Sequence, residues 1–104
     1  MLRWKETLYK RRLRRPFGAP VREAITTAFA ERRHEIPVPA ELHWSASEPA
    51  FTIRSTWMSF VVRFTAEEFV VDAELSLAAK ALATKENRET AVRFIESLAD
   101  DLGL

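Results

Sequence analysis

The stretch that decides the fold is Phe51-Thr-Ile-Arg-Ser-Thr-Trp-Met-Ser-Phe-Val-Val-Arg-Phe64, followed by Thr65-Ala-Glu-Glu68 and Phe69-Val-Val-Asp-Ala-Glu-Leu75. Phe69, Val71, Ala73 and Leu75 alternate with Val70, Asp72, Glu74 and Ser76, and Phe60, Val62 and Phe64 repeat the pattern one segment earlier. A period of two puts the apolar set on one face of a pleated strand. Thr65 to Glu68 is a polar break of hairpin length. The centre therefore reads as a β-hairpin with one apolar face, and the rest of the chain must cover that face.

A chain of 104 residues makes one domain, 1–104. It buries roughly 65% of its unfolded surface, enough for one core without staples. There is no cysteine, which excludes disulfides, thiolate metal sites and cysteine nucleophiles. That composition suits a reducing compartment, and the expected location is cytoplasmic. No apolar run approaches the ~20 residues of a membrane-spanning helix. The first residues are basic without an apolar core behind them, so a secretory signal is not expected. Gly18 and Gly103 are the only glycines, which excludes a glycine-rich phosphate cradle. No cofactor is expected.

Charge is nearly balanced overall, at +1, but unevenly distributed. Residues 1–15 hold seven cations against Glu6 alone, a local +6. Residues 65–104 hold four cations against nine carboxylates, a local −5. Opposed ends suit a basic arm for a polyanion, or self-complementation within one fold or between subunits.

In chain order, residues 1–15 form a basic N-terminal strand or arm. Thr7, Tyr9, Arg11 and Leu13 alternate with Leu8, Lys10 and Arg12, as in an edge strand with charge on its outer face. Trp4 and Leu8 at i, i+4 also suit a helix; the strand is the preferred reading. Arg14 to Pro20 is a connector. A helix is expected over 20–34, opened by Pro20, with Val21, Ala24, Ile25, Ala28 and Phe29 as its apolar stripe. Arg32, Arg33 and His34 suit the negative end of its dipole, and Pro37 and Pro39 stop it.

The antiparallel sheet is expected over 41–76. Leu42-His-Trp44 opens it, Ser45 to Pro49 is turn-like, and Phe51 and Ile53 are inner positions of a short strand. Ser55 to Ser59 breaks the alternation, with Trp57 and Met58 inside the break. Such residues at a loop tip either cap an open end of the core or form a partner patch, since both types are enriched in interface cores. Capping is the default reading. Ser76 to Ala83 continues the strand and turns over the sheet edge. A last helix is expected over 85–102, capped by Thr84 or Asn87 and stopped by Gly103. Its buried stripe is Ala91, Val92, Ile95, Leu98, Ala99 and Leu102, with Phe94 on the flank. The expected fold is α+β in two layers: a four- to five-stranded antiparallel sheet with both helices on one face, ordered β-α-β-β-β-β-α.

Tyr9-Lys-Arg-Arg before the first helix, His43-Trp44, Phe51-Thr-Ile-Arg-Ser55, Phe69-Val-Val-Asp-Ala-Glu-Leu-Ser-Leu-Ala-Ala-Lys80 and the helix Asn87 to Leu102 carry a resemblance. Across residues 7–102 the pattern resembles the small bacterial polyhydroxyalkanoic acid system proteins, a granule-region family of about this length. The chain departs from it in Trp57-Met58 and in Ile36-Pro-Val-Pro39. The resemblance implies a non-enzymatic cytoplasmic protein associated with storage granules. It carries over no catalytic residue.

Three function classes follow. Acid–base catalysis needs a titratable group in a cleft. Asp72 and Glu74 share one strand face but alternate with the apolar set, so they are expected to meet water. Ser55, Ser59, His34 and His43 carry no nucleophile signature, and two histidines without cysteine would need carboxylates to complete a zinc site. The chain is therefore expected not to be an enzyme and to hold no metal. A nucleic-acid module would use Lys10, Arg11, Arg12, Arg14 and Arg15 for salt-sensitive phosphate contacts. An interaction module would present Trp57, Met58 and Phe60, with the open sheet face, to a protein partner, a granule surface or a second copy. This last class is the preferred reading, with nucleic acid as the alternative.

Overall fold

In the computed structural model, which describes residues 3–36, 39–55, 58–76 and 85–104, five strands and two helices alternate in the expected order. They are β1 (Arg3–Arg12), α1 (Ala19–Arg32), β2 (Glu41–Trp44), β3 (Ala50–Arg54), β4 (Met58–Phe64), β5 (Glu68–Ser76) and α2 (Lys85–Asp101). A 3₁₀ turn, Arg33–Glu35, extends α1. All pairings are antiparallel, in the order β1-β5-β4-β3-β2. No described helix is long and apolar enough to cross a membrane.

The hairpin closes where the polar break falls. Phe64 pairs with Phe69, and the Thr65 N–H donates to the Glu68 carbonyl at 2.8 Å. The Thr65 hydroxyl accepts from the N–H groups of Glu67 and Glu68, so one side chain satisfies the turn. Phe60 then stands between Ile53 and Ala73, and Val62 between Phe51 and Val71. These residues form one buried cluster with Val21, Ile25 and Phe29 of α1 and Ile95, Leu98 and Ala99 of α2. Both helices thus lie on the same face, and the helical stripes follow the 3.6-residue period, except that Val92 stands outside the core cluster and Phe94 packs on it.

Four details depart from the sequence expectations. The Ser55–Ser59 break is narrower than expected. β4 begins at Met58, and the Ser55 N–H donates to the Met58 carbonyl at 2.9 Å. Pro20 is the second helical residue rather than the first, after Ala19. Asn87 lies inside α2 rather than capping it, and Thr84 lies outside the described residues. Finally, β1 is an edge strand, but its alternation is interrupted by a register shift between Thr7 and Tyr9. Before the shift Thr7 pairs with Asp72 on the outer face; after it Tyr9 pairs with Val71 on the inner one.

Polar staples join the elements. Arg32 donates twice to Glu35, at 2.7 and 2.8 Å, and reaches Asp101 of α2 at 2.9 Å and the Ser97 hydroxyl at 3.0 Å. Its guanidinium also lies over the Phe94 ring, 5.4 Å from the centroid. Trp44 donates its indole N–H to the Thr26 hydroxyl at 2.8 Å and carries Arg22 over its ring, tying α1 to the β2 edge. α2 ends in a Schellman turn. The Leu104 N–H reaches the Ala99 carbonyl and the Gly103 N–H that of Asp100, with Gly103 at φ +70°. Leu104 is thereby folded back into the core.

Two outcomes are expected. Gly103→Ala puts a Cβ in the left-handed region and should destabilise by about 1 kcal/mol, or about 5 °C in Tm, read by thermal unfolding. The bond from Arg32 holds the Glu35 carboxyl below its ordinary value of 4.5. A depressed folded-state pKa adds stability that is complete above the unfolded value and fades as pH falls through the folded one. Urea unfolding of Glu35→Gln at pH 7 and pH 3 should therefore show a smaller loss on acidification than the parent chain.

Candidate interaction surface

With both helices on one side, the other face of the sheet is covered by no described element. Register assigns its residues. Lys5, Thr7, Lys10 and Arg12 come from β1, Val70, Asp72 and Glu74 from β5, and Ser59, Val61 and Arg63 from β4. Thr52 and Arg54 come from β3, and Glu41 and His43 from β2. His43 meets Glu41 at 3.1 Å, two residues away on the same face.

At the middle of this face lies a buried charge. Asp72 is only 6% exposed although no second layer stands over it among the described residues. Its own neighbours bury it. The Thr7 hydroxyl donates to one carboxylate oxygen at 2.7 Å, Arg63 donates to the other at 2.6 Å, and the Lys5 ammonium stands 3.8 Å away. The expectation that Asp72 faces water is corrected here: it points outward but is roofed by longer side chains. Val61 beside it is also buried, yet stands outside the main core cluster. The face is thus a polar mosaic with an ordered, partly dry centre. A carboxylate flanked by a hydroxyl and two cations was readable in sequence only once the Thr7–Asp72–Arg63 register was known.

The apolar candidates do not make an exposed patch. Phe60 belongs to the main core at 8% exposure, because its register partners Ile53 and Ala73 face the helices. Met58 is half-buried and packs on the same core. Trp57 lies outside the described residues.

The basic candidates separate by strand face. Arg11 points inward, bonding Asp100 at 2.6 Å and the Leu104 main-chain oxygen at 2.7 Å. Burial pulls the Arg11 pKa down, while the bonds to Asp100 and Tyr9 more than offset it, so the net shift is upward. Arg11 is therefore committed to α2 and leaves the polyanion set. Lys10, Arg12, Arg14 and Arg15 are exposed. Arg12 pairs across the strands with Glu68, and the Leu13 N–H bonds the Glu67 carbonyl, so carboxylates adjoin that corner.

Of the histidine and serine candidates, His34 and His43 are exposed, while Ser55 bonds the Met58 carbonyl through its hydroxyl at 3.0 Å. A groove of about 330 Å³ runs between β1 and α2, lined by Thr7, Leu8, Val92 and Arg93. Its Glu6 and Arg88 are bonded to each other at 2.7 and 2.9 Å.

Protein-family models, curated proteins and solved structures contain no match to this chain. The buried carboxylate gives an asymmetric expectation. Arg63→Met leaves the Asp72 carboxylate with the Thr7 hydroxyl and the more exposed Lys5, and should destabilise by about 2 kcal/mol, less than a fully buried pair because Arg63 is part-exposed. Asp72→Val leaves two part-exposed cations, Arg63 and Lys5, that water can solvate, and should have the smaller effect. Equilibrium urea unfolding of both variants reads the order.

Proposed function

We propose that this protein is a non-catalytic interaction domain that docks through the uncovered face of its sheet. The observation that carries the reading is the order of that face in the free chain. Bonds from Thr7 and Arg63 hold Asp72. A surface whose side chains are already fixed loses less conformational entropy on docking. The storage-granule setting comes from the resemblance across residues 7–102, which implies a cytoplasmic protein of that kind. On this reading the partner is a protein, a second copy of the chain included, or a granule surface.

A second reading is supported by the four exposed cations Lys10, Arg12, Arg14 and Arg15, within six positions of one corner. They suit salt-sensitive contact with a polyanion, though with Arg11 removed the set is smaller than the sequence suggests.

The absence of cysteine makes the test direct. Thr52→Cys places a unique thiol at the centre of the open face, and Thr27→Cys places one on the exposed side of α1. Alkylation rates are measured in dilute protein with and without isolated polyhydroxyalkanoate granules. Granules should slow the Thr52→Cys reaction several-fold and leave Thr27→Cys unchanged. A Thr52→Cys rate unchanged by granules would remove the reading. Short single-stranded nucleic acid, lost in salt and on Gln replacement of the four cations, would promote the second reading instead.

A further inference from the structure

The open face carries a charge pattern that names an occupant. Cross-strand register aligns Lys5, Glu74, Ser59, Arg54 and Glu41 in one row across all five strands. In sheet order β1-β5-β4-β3-β2 the row reads plus, minus, neutral, plus, minus. It is antisymmetric about the central strand, β4. Rotation by 180° about an axis along β4, lying in the plane of contact, places Lys5 over Glu41 and Glu74 over Arg54 of a second copy. By symmetry both contacts occur twice. The next row is Thr7, Asp72, Val61, Thr52 and His43. The same rotation sets Val61 on Val61 and brings the Thr52 hydroxyl, a donor, over the Asp72 carboxylate.

From this we infer that the uncovered sheet face is a two-fold interface with a second copy of this chain. The inference rests on the reading that this face docks, and specifies the partner.

Three physical checks agree with it. Packed sheets cross at about 30°, which displaces the outer strands along their length by one or two residues. The complementarity survives that shift because whole strands carry one sign. On this face β1 offers Lys5, Lys10 and Arg12 to a strand carrying Glu41, while β5 offers Glu68, Asp72 and Glu74 to one carrying Arg54. The one like-charged meeting is Arg63 on Arg63, and each is already neutralised by its own Asp72 at 2.6 Å. Five strands at ~4.8 Å by about six residues at ~3.4 Å give roughly 500 Å² per copy. The total, about 1,000 Å², is at the lower limit of specific interfaces, so the dimer is weak and exchanging. Its charged rows make it salt-sensitive.

Sedimentation velocity over a concentration series tests this. At about 0.02 M ionic strength the chain should dimerise, and at about 0.5 M it should dissociate. Glu74→Arg and Arg54→Glu should each weaken the dimer about tenfold or more, since each creates two like-charge contacts. The double variant restores opposite charges and should recover most of the affinity. Lys5→Glu, set against Glu41, gives an independent reversal, with circular dichroism confirming the fold of each variant. A chain that stays monomeric at low salt, or a dimer indifferent to these reversals, overturns the inference. If granules still protect Thr52→Cys in that case, the face docks on something other than itself and the proposed function stands. If they do not, both fall.

Discussion

The register between β4 and β5 is the constraint on which the structure depends. Side chains alternate with a period of two, so a slip by one residue would carry Phe60, Val62, Phe64, Phe69 and Val71 to the outer face and bring Arg63 and Asp72 against the helices. The Thr65 hydroxyl, accepting from two N–H groups of the turn, blocks that slip locally. The aromatic contacts block it from within: Phe64 stacks on Phe17 at 4.4 Å and meets Phe51 and Phe69 at 6.0 and 5.7 Å. The same register that closes the core builds the outer mosaic, because Arg63 and Asp72 are the outward members of alternations whose inward members are buried. Core and surface are two consequences of one pairing.

The shift between Thr7 and Tyr9 does comparable work at the edge. An extra residue in β1 sends Thr7 to the Asp72 side and Tyr9 and Arg11 to the helix side. Arg11 can then reach the end of α2, where two carboxylates and the last carbonyls gather negative potential. Arg32 meets the same end from α1 through Asp101. Arg11 and Arg32 thus hold the C-terminal turn of α2, and part of the opposed charge of the chain's two ends meets inside one fold, through Lys5–Asp72 and Arg11–Asp100.

What was legible in the sequence follows from which signals are local. The two alternating runs, the two helical stripes, the Thr65–Glu68 turn and the Gly103 stop each depend on residues within a few positions, and the α+β order could be read from them. What was not legible depends on partners far along the chain. Arg11 looked equivalent to Arg12 because nothing local marks an interrupted alternation. Met58 looked available because a loop ending at Ser59 leaves it at a tip, and Phe60 was grouped with it as its neighbour, whereas strand pairing from Met58 onward draws both inward. Asp72 looked solvated because alternation tells which face a residue is on, and not whether its neighbours on that face will roof it.

An uncovered five-stranded face with a ten-residue edge strand is a hazard for any chain, since unpaired edges and flat faces recruit other strands without selectivity. Here Lys5, Lys10 and Arg12 with the bulge guard the edge, and mixed charges guard the face. Several of the guarding charges have an opposite register neighbour within their own sheet: Lys5 beside Glu74, Arg12 beside Glu68, Arg54 beside Glu41. These lateral pairs already lower the electrostatic energy of the single chain. A second copy laid across the face therefore adds only the increment between lateral pairing and pairing on two sides. That increment is small in water and vanishes with screening. The same arrangement rejects most other surfaces, because a partner must match a sign that changes from strand to strand at intervals of about 5 Å. On the proposed two-fold docking, selectivity would come from the spacing of the charges, and modest affinity from the opposite charges that already lie beside them in the single sheet.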